Sequence, residues 1–173
     1  MARLQPDKRW NYSVRPEPPE KVRVLFVGES PPASGRNFYA ADSGLYRAIR
    51  AAFAGHVPGF AEGIANDAFL SAFRDAGCYL VDLCTEPVDR LPGRDRRLAC
   101  ESAEPGLAEV VDRLQPVSII TVVRSIQPNV TRALAMARWN GPRFDLPYPG
   151  RWVAHRRLFI ASLRLALSVV LSA

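Results

Sequence analysis

The side chains best suited to chemistry stand where apolar runs stop. In VRVLFVGESPPASGRNFYAADSGLY, residues 22–46, the run Val22–Val27 ends at Gly28. It gives way to Glu29, Ser30, two prolines, a Ser/Gly turn, Asn37, Phe38 and Tyr39. A carboxylate directly after a buried-type strand must be paired or line a wet pocket; the pocket is the reading favoured for Glu29. A loop aromatic such as Phe38 or Tyr39 either stacks on a planar ligand or closes over the following helix. A second carboxylate, Asp82, interrupts the apolar segment CYLVDLC. Ionised, it accepts hydrogen bonds and cannot donate them. It either lines the same site or caps the turn at 85–88. A third group, PYPGRWVAH, supplies Tyr148, Arg151 and His155. His155 can stabilise a developing anion or bind phosphate, or be a structural histidine. None of these segments is a GxGxxG fingerprint, a P-loop or a GxSxG elbow.

Elements of alternating type are needed to bring these residues together. Near-continuous apolar runs read as buried parallel strands. The spacing predicts strands at 22–27, 78–84, 116–123 and 144–146. Helices are expected at 43–53 with Ser43 as N-cap, at 66–76 with Asn66 as a possible cap, and at 102–114, 126–138 and 152–171. Residues 55–63 and the Arg/Pro-rich 85–97 read as loops. This order predicts an α/β fold: three α/β/α layers around a central, mostly parallel four-stranded sheet. Ligands of such sheets sit beyond the carboxyl ends of the strands. Glu29, Asp82, Arg124 and Tyr148 all fall at that edge.

Composition sets the outer bounds. The 173 residues suit one domain, read as 21–173, preceded by a proline-rich arm, 1–20, which Trp10 and Tyr12 could pin to the body. A 48% hydrophobic and 23% charged chain can build a core and is not a disordered tail. The net charge of +6 permits a nucleic-acid partner. Lys8 and Lys21 are the only lysines, the other cations being arginines that suit phosphate contacts. Cys78, Cys84 and Cys100 form no CxxC and read as buried thiols. A zinc site would need His56 or His155 as well. An iron–sulfur cluster usually takes four cysteines. No metal or cofactor is expected. The first residues lack an apolar signal core and the apolar tail from Leu158 is short for a membrane span, so the expectation is a cytoplasmic chain with no membrane partner.

Together these segments resemble the uracil-DNA glycosylase superfamily, and the layout is most similar to its mismatch-specific uracil/thymine branch. That branch opens with a strand, then G-x-N-P-G, a Ser/Gly turn, a Phe and an aromatic-bearing helix; here the layout reads GESPPASGRNFYAADSGLY. GCYLVDLCTEPV is similar to the family strand that ends in the base-reading Asn or Asp. PVSIITVV is similar to the strand before the penultimate helix, and PYPGR occupies the place of the second motif. The resemblance covers about residues 22–160. It implies a monofunctional DNA glycosylase, expected to be monomeric and nucleoid-associated, that hydrolyses the N-glycosidic bond of a flipped base in base excision repair. Base-binding would fall to Phe38, Tyr39 and Asp82, and catalysis to Glu29, Ser30 and His155. DNA contacts would fall to Ser34, Arg36, Arg124, Tyr148, Pro149, Gly150 and Arg151. The family's water-activating residue falls at Ser30, a poor base, so Glu29 or Asp42 would substitute. The motif-two histidine position holds Leu146 or Tyr148. An Asp at position 82 favours a base edge that offers donors. The alternatives are a non-catalytic DNA- or base-binding protein on this fold, and an unrelated α/β enzyme using Glu29 and His155.

Overall fold

The computed structural model describes residues 15–171. Four strands, β1 (Val24–Gly28), β2 (Cys78–Asp82), β3 (Ser118–Thr121) and β4 (Arg143–Asp145), form one sheet in the order β2-β1-β3-β4. Every pairing is parallel. The helices are α1 (Gly44–Phe53), α2 (Asn66–Asp75), α3 (Gly93–Leu114), α4 (Gln127–Met136) and α5 (Val153–Val170).

Side chains alternate across a strand, and each face of the sheet has its own core. Val24 and Phe26 of β1 pack with α1, α2 and α5, and Leu25 and Val27 pack with α3 and α4. The fold is therefore the expected three-layer α/β/α. On the first face the core is aromatic: Phe26, Phe53, Phe69 and Phe73 meet with ring centroids 5.5–6.4 Å apart. The chain leaves β1 toward α1 on one face and leaves β3 toward α4 on the other. Between those diverging exits the carboxyl edge opens, as the rule for doubly wound sheets requires.

Several boundaries differ from the sequence reading. Ser43 does cap α1, its Oγ accepting from the Tyr46 N–H at 3.0 Å. Asn66 is not the cap of α2: Ala65 precedes the helix, and the Asn66 carbonyl instead accepts from the Tyr46 hydroxyl at 3.0 Å. The largest correction is α3, which starts at Gly93 rather than 102 and absorbs part of the expected Arg/Pro loop. Pro105 lies inside it without ending it. Pro105 is on the solvent side, where water can serve the carbonyl its missing N–H leaves free. The buried side runs Cys100, Glu104, Leu107, Ala108 and Val111, a continuous helical stripe.

The arm is described only from Arg15, so Trp10 and Tyr12 lie outside the described residues. Its last residues follow the outer edge of β2. The Tyr79 hydroxyl donates to Pro16 O at 3.0 Å and Arg74 Nε to Glu17 O at 3.2 Å. No helix among the described residues is long and apolar enough to cross a membrane.

Glu104 joins α3 to α4. Its buried carboxylate takes Asn129 Nδ2 at 2.7 Å and Arg132 through Nε and Nη2. Arg132 keeps its carboxyl below the usual range. Glu104→Ala would strand the buried Asn129 amide, and a loss of about 1–3 kcal/mol is expected by urea denaturation. Arg132→Ala, at the solvent-facing end, should lose less than that.

Candidate functional site

A cavity of about 310 Å³ opens at the carboxyl edge of the sheet. Its polar groups come from Glu29 and Ser30 after β1, Asn37, Asp82 at the end of β2, Asp89, Arg96 of α3, and Tyr148 after β4. Apolar wall is supplied by Phe38, Leu45, Leu80 and Val123.

Asp82 is placed directly by the sheet. It pairs in register with Gly28, and its carboxylate lies directly over that glycine: a Cβ built at Gly28 would collide with Asp82 Oδ1. Glycine leaves room for the carboxylate where it lies; its φ is not in the left-handed region, so the conflict is one of space. The Asp82 side chain is 17% exposed, with Arg15 Nη2 3.9 Å from Oδ2. That distance is an ion pair but not a hydrogen bond. Burial raises the carboxyl to about 6, Arg15 opposing and Glu29 reinforcing the shift. Desolvation disfavours the charged form, and one loose cation does not undo it.

Glu29 is held differently. Arg96 grips it through two parallel bonds, Nε to Oε1 at 2.9 Å and Nη2 to Oε2. Such a fork fixes both position and charge. Arg96 stands one turn before Cys100, so the buried stripe of α3 continues upward and ends on this ion pair.

The loops that carry these groups are stitched together. The ladder between β1 and β2 runs two bonds past the strands, Leu83 N–H to Gly28 O at 2.9 Å and Cys84 N–H to Glu29 O at 2.8 Å. Ser30 Oγ accepts from the Val88 N–H at 3.2 Å, and both Asp89 oxygens accept from the Ala33 N–H. Asn37 folds its own turn, its carbonyl taking the Ala40 N–H at 2.8 Å while its N–H donates to Asp42. Asp42 is thereby occupied in that turn.

Of the residues read from sequence, the structure brings Glu29, Ser30, Phe38, Asp82 and Tyr148 to the cavity. Phe38 is only 4% exposed, its ring fixed against Tyr39, Tyr46 and Phe73. Tyr148 is 48% exposed, and desolvation, then the charges of Asp82 and Glu29, raise its hydroxyl. Tyr39 is elsewhere. Its hydroxyl accepts from Leu80 N–H at 2.8 Å and donates to Leu80 O at 3.1 Å. It thereby satisfies both outward backbone groups of an edge-strand residue. Burial raises that hydroxyl further still.

His155 does not line the cavity; it is exposed in the first turn of α5, beside Gly150. Ser34, Arg36, Arg124, Gly150 and Arg151 line no part of it either, and Pro149 is buried beside its mouth residue Tyr148. Arg15, Asp89 and Arg96 were not singled out from sequence. The signal for Arg96 is its four-residue spacing from Cys100 and eight-residue spacing from Glu104, which continues a buried helical stripe.

The three thiols are buried, with Cys84 Sγ 3.8 Å from Cys100 Sγ. Burial pushes Cys78 and Cys84 up to about 12, a range in which thiols pack rather than react. Among the described residues no group of three His, Cys, Asp or Glu could hold a metal ion. A scan of the chain against models of known protein families finds no match, and a search of curated proteins finds none.

The fit of Asp82 over Gly28 yields a double-mutant prediction. Gly28→Ala should destabilise the fold by about 1–3 kcal/mol, as overpacking does. In an Asp82→Ala background most of that loss should vanish, because the clashing oxygens are gone. Equal losses in the two backgrounds, by urea denaturation, would show that the carboxylate does not fill that space.

Proposed function

We propose that the cavity receives a single base extruded from DNA and that the protein is a glycosylase-like hydrolase acting on a damaged or modified base. The observation that carries this reading is one cavity at the sheet's carboxyl edge that collects three carboxylates, Glu29, Asp82 and Asp89, and a half-exposed aromatic, Tyr148. A volume of about 310 Å³ is at the small end for ligand pockets, suited to one base. Enzymes that act on a base within DNA take it out of the stack, clasp it between apolar or aromatic side chains, and read its edge by hydrogen bonds.

The roles follow from position. Phe38, Leu45, Leu80 and Val123 would form the fixed wall. Tyr148, with more of its ring open, is the better stacking partner than Phe38. Asp82 would read the base edge. Glu29 would stand by the sugar, where breaking the N-glycosidic bond develops positive charge that a positioned carboxylate stabilises. The exposed Arg94 and Arg97 of α3, Arg124 after β3, and Arg151, Arg156 and Arg157 around the start of α5 all belong to segments that begin at this edge. They would meet the phosphates, and binding would weaken steeply with salt.

One observation favours a second reading, base binding without turnover. Both Glu29 oxygens are held by Arg96, which leaves this carboxylate less able to take a proton from water. The two readings separate in one experiment. Labelled single- and double-stranded oligonucleotides carrying uracil, hypoxanthine, xanthine, altered guanines, modified cytosines or a G·T mismatch are incubated with the protein and treated with alkali. Breaks at one lesion are expected, with Glu29→Gln slowing them at least about a hundredfold while binding persists. Salt-sensitive binding with no breaks on any substrate would establish the binding-only protein. Neither breaks nor binding would refute both.

A further inference from the structure

The polar groups of the cavity are unequally occupied. Glu29 is taken by Arg96, Ser30 Oγ by the Val88 N–H, and Asp89 by the Ala33 N–H. The backbone of Leu80 is taken by Tyr39. Of the cavity's three carboxylates, Asp82 is the exception. Among the described residues nothing donates a hydrogen bond to it, and its nearest cation, Arg15, stays at 3.9 Å. A desolvated carboxylate short of donors is under-satisfied. A ligand that brings donors gains there, and a ligand that brings a carbonyl oxygen meets negative charge. Ionised, Asp82 offers acceptors alone.

We propose that Asp82 selects bases whose edge sets an amino group beside a ring N–H, the Watson–Crick edge of guanine, including guanines altered at N7 or C8 where that edge is intact. The inference rests on the reading that the cavity takes a base. Uracil and hypoxanthine fit it less well. Uracil flanks its N–H with two carbonyls. Hypoxanthine keeps the ring N–H but lacks the amino group. Guanine and hypoxanthine nucleotides therefore differ, for this site, by the one group the carboxylate would read.

The test is calorimetric titration of the whole chain with deoxyguanosine monophosphate, deoxyinosine monophosphate and deoxyuridine monophosphate, which share a sugar and a phosphate. The guanine nucleotide is expected to bind at least about tenfold more tightly than the inosine one, the worth of a hydrogen bond to a charged group. Asp82→Asn, which presents one acceptor and one donor, should erase that difference. Equal affinity for the two purine nucleotides in the natural protein would overturn the proposal without any variant. So would a guanine preference that Asp82→Asn leaves unchanged in a protein with unaltered circular dichroism. Binding of the inosine or uridine nucleotide with no guanine preference would remove this inference and leave the base-pocket reading standing. Binding of none of the three would remove both.

Discussion

The site is organised around a largely buried carboxylate laid on the backbone of its neighbouring strand. Asp82 ends β2, and parallel pairing sets it against Gly28 at the end of β1. Any side chain at residue 28 would occupy the space of the carboxylate. Leaving a charge under-solvated is unfavourable. The fold answers with little, a cation 3.9 Å away, where a structural carboxylate such as Glu104 has four hydrogen bonds. Asp82 thus differs from Glu104, and from its cavity neighbour Glu29, which Arg96 holds, in how little is bonded to it. That difference marks Asp82 as a candidate functional group.

The surrounding structure keeps this arrangement rigid. The β1 exit loop has two prolines and is bonded at Gly28, Glu29, Ser30 and Ala33 to the segment after β2. The ion pair of Glu29 with Arg96 anchors the first turns of α3 to the same loop. Tyr39 stiffens β2 from its outer side. Groups on four separate segments are therefore fixed around one small cavity before any ligand arrives, which is the condition for electrostatic preorganisation.

Much of the fold was legible in the sequence because a parallel sheet buried on both faces writes itself as apolar runs. VLFV, CYLV and SIIT are such runs, and the charged residues that break them, Glu29 and Asp82, sit at the carboxyl edge as read. Ser43 was legible as a cap because its hydroxyl acts within one turn. What failed depended on contacts far apart in sequence. The start of α3 was hidden because Pro, Gly, Asp and Arg compose loops as readily as solvent-facing helix turns. Only its pairing with Glu29, 67 residues away, reveals why Arg96 is placed there. Tyr39 gave no sign that its hydroxyl would complete the edge of β2. For Phe38 the sequence leaves open ligand stacking or closure over the next helix, and the contacts with Tyr46 of that helix and with the distant Phe73 favour the second. His155 shares the cavity's end of the fold but falls outside the cavity, a distinction that spacing alone does not encode.

Asp82 stands as a desolvated, weakly compensated carboxylate, and its own titration reports that state. The folded chain should keep the Asp82 proton up to about pH 6, against an ordinary value of 3.8. Between those values the folded state binds more protons than the unfolded one, so this residue's contribution to stability falls as pH rises through that window. A side-chain carbonyl NMR titration, with the Asp82 resonance assigned by comparison with Asp82→Asn, should give a midpoint near 6. A midpoint at or below the ordinary value of about 4 would mean that water or a closer partner satisfies the carboxylate, and would contradict the account.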